Sequence, residues 1–567
     1  MSLSCVVHSC LAAAMPLALV ALCAAQQKGA PAAPEKPALS PYDEALARYR
    51  TCMDRLPFWF HTVGRTRLAN TREPAALQIL AADYVKPKYY PEYSRYMLAN
   101  LFGANFSGKD EFTPVLDELR KTNSKPIDTW LWVHALRIQS DRVGDTDAVT
   151  IATTSKNLIH RAAAILALGD SRNGNIKSPI VTNCLEWPKK ESDRCLLLGA
   201  MSGALWENRR RVNDEEYRVA LTAYIGLLAP EVDLTHTQKI QIARHLQKIL
   251  KGPALFVNPE PWLELLQRGD VKVKTDKTTA APQRFFGIET DGERYCYVLD
   301  MSDSMCKKIE PSAKPPTQVL TGPRKKTKRA LLDESALPWD KIDTRWDLAR
   351  EQMRISLSRL SDEKYFSIVW FGTEAGTLDS CKGMIKATKG NVDKVLAELD
   401  SIKEQPPDKD KAPDGQLRGK TNMHAGLRYA FSLSDKGFVE DVAYVDPGVL
   451  AYGCDTIFLL SDGAPSWDEF GIEDTNYHEG KTVVDNEYNK PAPDQPRVTY
   501  HGPFLEEHWL VEDVERMNAF RRIRMHCIGL GEANMSLLGK LAEIGHGEVY
   551  VFGRAKDTKD TKDAKDK

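Results

Sequence analysis

The chain has 567 residues, 42% of them hydrophobic and 27% charged, the composition of an ordinary globular protein long enough to build two or more cores. Its formal net charge of -1 excludes a global field that would draw it to nucleic acid or an anionic membrane, so any partner has to be recognised by local features.

The N-terminus runs almost wholly apolar from Leu11 to Cys23, "LAAAMPLALVALC", and then turns small and polar. Residues 1–25 therefore read as an export signal with a cleavage site near Ala25, followed by a linker over 26–41. The first ten residues carry no Lys or Arg, unlike an ordinary signal, so an uncleaved membrane anchor over Ser4 to Ala25 stays open beside cleavage. The predicted location is exported: periplasmic, secreted, or membrane-anchored through this segment alone.

From residue 42 to 267 the periodicity is helical throughout. Leu158, Ala162, Ile165 and Leu166 share one face, as do Ile242, Leu246, Ile249 and Leu250. The expectation is an all-α N-terminal domain, either a HEAT-like repeat array or a plain bundle, whose tryptophans belong to its core.

Residues 268–284 form a charged, small-residue linker, and beyond them, over 285–553, strands and helices alternate. Strands are predicted at "RYCYVLD", "KYFSIVWFG", "DTIFLLSD", "MHCIGLG" and "EVYVF". The intervening helices include one opening with Thr344 and Asp347 in capping-box spacing. Such alternation predicts a Rossmann-like α/β fold with a mostly parallel central sheet and ligands at the carboxyl ends of its strands. The tail, 554–567, is a low-complexity run of balanced charge predicted to be disordered.

Three polar groups fall at that carboxyl edge. Asp300, Ser302 and Ser304 follow the first strand, Thr421 precedes a helix, and Asp462 ends "TIFLLSDG". Short hydroxyl and carboxylate side chains suit Mg²⁺ or Mn²⁺, which take oxygen ligands and keep several waters. The order D-x-S-x-S, then Thr, then an apolar strand ending in S-D-G, resembles the metal-ion-dependent adhesion site of the von Willebrand factor type A domain, over Phe285 to Phe552. "FFGIET" before the first strand and the helical array upstream also resemble exported bacterial proteins that pair helical repeats with such a domain. The resemblance implies a Mg²⁺ (or Mn²⁺) cofactor with Ser302, Ser304 and Thr421 as direct ligands and Asp300 and Asp462 acting through water. It further implies a protein partner that donates a carboxylate to the metal, and a binding function without turnover. Asp303 departs from the family, which usually has glycine there.

Long insertions follow Ser304, precede Thr421 and follow Asp462, and all three are expected to crowd the metal face as a recognition surface or lid. Asp468, Glu469, Glu473 and Asp474 are the candidates there for partner recognition, or for filling the open metal position from within the chain.

Competing signals are weaker. "GQLRGKT", Gly415 to Thr421, lacks the first glycine of a phosphate-binding loop and follows no apolar strand. A Mg²⁺-dependent hydrolase or phosphatase using the same oxygens and a base such as His424 is the enzymatic alternative. "RKKTKR" lacks interleaved aromatics and reads as a solvated loop, so no nucleic-acid partner is expected. The cysteines show no C-x-x-C pair, and in an exported protein Cys184 with Cys195, or Cys306 with Cys381, are the pairs placed for a bridge.

Overall fold

The computed structural model describes residues 39–55, 57–271, 283–309, 334–404, 415–474 and 498–552. The signal or anchor segment, the basic run and the charged tail lie outside them. Among the described residues no helix is long and apolar enough to cross a membrane.

From Pro41 to Arg268 the described chain is a succession of α-helices with no strand among them. Local chemistry sets their starts: proline occupies the first turn at Pro74, Pro91 and Pro259, Asn157 and Asp214 cap with their side chains, and Thr235 forms a capping box with Gln238. Three of these helices matter below: α1 (Pro91–Asn105), α2 (Glu191–Glu207) and α3 (His236–Leu250).

A hairpin then pairs Gln283 with Thr290 through a turn in which Phe286 and Gly287 both have positive φ. The sheet that follows is built from β1 (Arg294–Asp300), β2 (Tyr365–Phe371), β3 (Ala375–Thr377), β4 (Ile385–Lys386), β5 (Thr456–Ser461), β6 (Arg524–Leu530) and β7 (Val549–Phe552). Its order is β7-β6-β5-β1-β2-β3, with β4 also on β2. The five long strands are parallel, whereas β3 and β4 pair antiparallel to β2, so the sheet is mixed and mostly parallel. At three and two residues, β3 and β4 are too short to leave a periodic signal.

Helices cover both faces of this sheet. Tyr295, Tyr297 and Leu299 of β1 face one core with α4 (Arg345–Arg359), while Cys296 and Val298 face the other with α5 (Met423–Phe431), α6 (Glu507–Asn518) and α7 (Met535–Ile544). Burial on both sides explains the unbroken apolar runs, such as "TIFLL" in β5, all of it buried.

The described residues from Pro41 onward form one compact unit rather than two separate ones. Cores of the helical half extend into the α/β half: one takes in Tyr444, Val445, Leu450 and Phe520, another Phe470 and Phe504. On α2, Gly199 and Gly203 leave a notch. A Cβ on Gly199 would stand 2.0 Å from the Phe520 carbonyl oxygen, and one on Gly203 2.0 Å from the Arg522 guanidinium. Arg244 of α3 reaches across to Asp291 (3.1 Å), the Asp455 carbonyl (3.2 Å) and Thr456 (3.2 Å).

The eight described cysteines are free thiols, so neither pair placed for a bridge by sequence is joined. Cys195 accepts from Gln238, and Cys184 lies against Met201.

Candidate functional site

Strand β1 has β2 on one side and β5 on the other, and the chain leaves it toward β2 before returning to the far side as β5. That reversal is the place where an open α/β sheet forms a crevice at its carboxyl edge. Asp300 ends β1 there, and Asp462 directly follows β5.

The loop after β1 is fixed by backbone bonds to its neighbours. Met301 N–H donates to the Phe371 carbonyl (2.8 Å), and Arg418 N–H to the Met301 carbonyl (3.1 Å). Asp303, the departure from the resembled pattern, closes a reciprocal pair: its N–H donates to the Gly419 carbonyl (3.1 Å) and its Oδ1 accepts from Gly419 N–H (2.7 Å). Gly419 has φ +83°, a conformation that favours glycine, so the Asp303 loop and the segment leading to Thr421 hold one another in register. Thr421 stands one residue before the α5 cap, where Asn422 accepts from Ala425 N–H (3.0 Å).

These supports bring the five predicted residues together. Ser302 Oγ donates to Asp300 Oδ1 (2.6 Å), and Ser304 Oγ donates to Asp462 Oδ1 (2.6 Å). Ser302 Oγ lies 3.0 Å from Ser304 Oγ and 3.3 Å from Thr421 Oγ1. Asp300 and Asp462 are buried; Asp300 also accepts from Ser461 Oγ on Oδ2 (2.9 Å). Burial, and then the neighbouring Asp462, push the Asp300 carboxyl up to about 6, against the pull of its bonds from Ser302 and Ser461.

This donor set fits a small hard cation. Adjacent oxygens of an octahedral Mg²⁺ shell, at about 2.1 Å from the ion, are separated by roughly 3 Å, and Ser302 Oγ stands near that edge length from both Ser304 Oγ and Thr421 Oγ1. The network assigns the Ser302 and Ser304 protons to the two carboxylates, which leaves oxygen lone pairs facing one another at 3.0 Å. Among the described residues no group of three or more His, Cys, Asp or Glu side chains is placed to hold a metal ion.

Sequence reasoning missed two members. Arg345, the first residue of α4, puts NH1 2.6 Å from Asp462 Oδ2. Ser466 accepts from Thr421 N–H (2.9 Å), and its own N–H donates to the Thr421 carbonyl (3.0 Å). Both pairings join residues far apart in sequence, where local pattern carries no signal.

Two of the loop candidates, Asp468 and Glu469, are engaged elsewhere. Asp468 is fully buried, its carboxylate accepting N–H bonds from Phe470 (3.1 Å), Gly502 (3.0 Å) and Phe504 (3.0 Å). Glu469 pairs with Arg428 at 2.7 Å. Glu473 and Asp474 fall on a short strand, Ile472–Asp474, paired with Val498–Tyr500, and their side chains lie outside what the structure describes. Much of each long insertion, over 310–333, 405–414 and 475–497, also lies outside the described residues. His424, the candidate base, is buried, bonded through Nε2 to Asp513 (2.9 Å) and stacked on Phe504 at 3.7 Å.

Comparison with protein-family models gives no match for this chain, and comparison with curated proteins gives none.

Proposed function

We propose that the chain is an exported, metal-dependent protein-binding protein of the von Willebrand factor type A kind, its helical half serving as scaffold. Mg²⁺ or Mn²⁺ would be held by Ser302, Ser304 and Thr421, with Asp300 and Asp462 behind them. When bound, the ion supplies a hard Lewis-acid centre able to accept a carboxylate oxygen from a partner protein.

The observation that carries this reading is the convergence of Asp300, Ser302, Ser304, Thr421 and Asp462, from three separate loops, on one cluster at the switch point of the sheet. Binding is favoured over turnover because the one base suggested for a hydrolase, His424, is committed to Asp513 and Phe504 inside the core. The chain's own residues do the rest: Asp300 and Asp462 accept the hydrogen bonds of the Ser302 and Ser304 hydroxyls, which would leave oxygen lone pairs for the ion.

Affinity capture from an extract of the native organism tests the reading, with Mg²⁺, with chelator, and with Asp300→Ala. A protein retained only by the wild type with metal supports it. Identical retention in all three conditions contradicts it.

A further inference from the structure

We propose that Arg345 sets the ligand preference of this site, making the loaded cluster select an anionic oxygen donor over a neutral one; this rests on the metal-binding reading above. Arg345 meets Asp462 in an ion pair of 2.6 Å, with the arginine side chain 13% exposed and the aspartate fully buried. The two aspartate oxygens are thus divided, Oδ1 to Ser304 and Oδ2 to Arg345. Its backbone is fixed at the start of the helix: Thr344 and Asp347 form the cap, and the Arg345 backbone N–H donates to the Lys307 carbonyl (3.0 Å). Gly531 makes room beside the guanidinium. A Cβ on Gly531 would stand 2.4 Å from Arg345 NH2, and Gly531 has φ +54°.

The consequence is a matter of charge. Asp300 and Asp462 supply two negative charges and a divalent ion two positive ones, so those three groups together are neutral, and their preference for an anion is only the ion's own affinity for hard anionic oxygen. Arg345 leaves the loaded cluster with one net positive charge in a largely buried setting, where Coulombic effects are little screened. The opposing carboxylate on the same loop, Asp303, is solvent-exposed and already accepts the Gly419 amide, so water screens it far more. The rim adds a cation in Lys420, which lies over the Trp467 ring at 3.9 Å. The same guanidinium repels the metal, so it trades cation affinity for anion selectivity.

The test is Mn²⁺ titration of the full chain by calorimetry at pH 7.5, followed by acetate and acetamide binding to the Mn²⁺-loaded protein, read by paramagnetic relaxation of the ligand protons. The wild type is expected to favour acetate over acetamide by at least about tenfold. Arg345→Gln, its fold checked by circular dichroism, is expected to bind Mn²⁺ about tenfold more tightly and acetate about tenfold more weakly. Arg345→Lys, which keeps the charge, should remain within about threefold of the wild type in both. A merely structural arginine would weaken Mn²⁺ binding when replaced; that result, or equal wild-type affinity for acetate and acetamide, overturns the inference while leaving the metal site standing. Absence of Mn²⁺ binding by the wild type removes both.

Discussion

Arg516 of the α/β half grips Glu92 of the helical half, NH1 lying 2.6 Å from Oε1, while its Nε holds Asp513 at 2.7 Å. The other Glu92 oxygen accepts Val442 N–H at 2.9 Å, and the rings of Tyr93, Tyr96 and Tyr444 surround the guanidinium at 5.0 to 5.3 Å. Asp513 in turn bonds His424, on the helix that Thr421 precedes. A continuous set of ion pairs and hydrogen bonds therefore ties α5, the helix behind Thr421, to the helical half. Removing one partner from such a set strands the others, at a cost of about 3–5 kcal/mol. Arg516→Ala is expected to lose that much in urea unfolding followed by circular dichroism, and an unchanged midpoint would show that the halves do not depend on this contact.

The glycine notch of α2 makes a second, steric prediction. At Gly199 an added methyl meets backbone at 2.0 Å and has nowhere to go. Gly199→Ala is expected to destabilise the protein by about 1–3 kcal/mol, despite alanine's better helix propensity. Gly226, on another helix, meets nothing within 4 Å on adding a Cβ, so Gly226→Ala should be neutral or mildly stabilising; thermal melts of both variants check the pair.

Stability should fall on mild acidification. His526 is buried, its Nδ1 accepting Glu548 N–H (3.1 Å), and burial, then Arg524 and Arg244, push its ring down to about 3, with Asp291 pulling the other way and Lys248 adding to the push. His546, 4.3 Å from the Trp206 ring, is pushed down to about 4 by burial and then Arg522. Both folded-state values lie below the unfolded value of about 6.5, so the unfolded chain binds protons first. Stability is thus complete above about pH 6.5 and declines as pH falls toward 4, by up to about 1.4 kcal/mol per pH unit for each histidine. Melting temperatures measured across that window should drop, and His526→Gln should flatten the slope; an unchanged slope would contradict this account.

The Thr344 cap carries a prediction that links stability to the site. Thr344 Oγ1 accepts Asp347 N–H (3.1 Å), and Asp347 Oδ2 accepts Thr344 N–H (2.9 Å), which fixes the start of α4 where Arg345 stands. Thr344→Ala is expected to lose about 1 kcal/mol by chemical denaturation. A loss near zero would show that the cap does not hold this turn.

Much of this was legible in the sequence, for identifiable reasons. The strands of the sheet announced themselves because burial on both faces demands unbroken apolar runs, and the Thr344 box because capping is a three-residue matter. The five oxygen-bearing residues were legible because each follows a strand or opens a helix, and those ends converge in a parallel sheet. What escaped was non-local. Arg345 and Asp462 are 117 positions apart, and nothing around "TRWD" distinguishes an arginine paired with a buried aspartate from a solvated one. The union of the two halves escaped as well, since Gly199 and Gly203 look like poor helix formers until Phe520 and Arg522 lie against them. The commitment of Asp468 to three backbone amides could not be foreseen, because two of those amides, at Gly502 and Phe504, lie 34 and 36 residues on.

The most direct test of the central claim is calorimetric titration of the full chain with Mg²⁺ and Mn²⁺, beside Asp300→Asn and Ser302→Ala. The wild type is expected to take up one ion per chain at a saturable site, weakened at least about a hundredfold by either substitution, with both variants still folded. A wild type that takes up no cation, or variants that bind as well as it does, would contradict the claim.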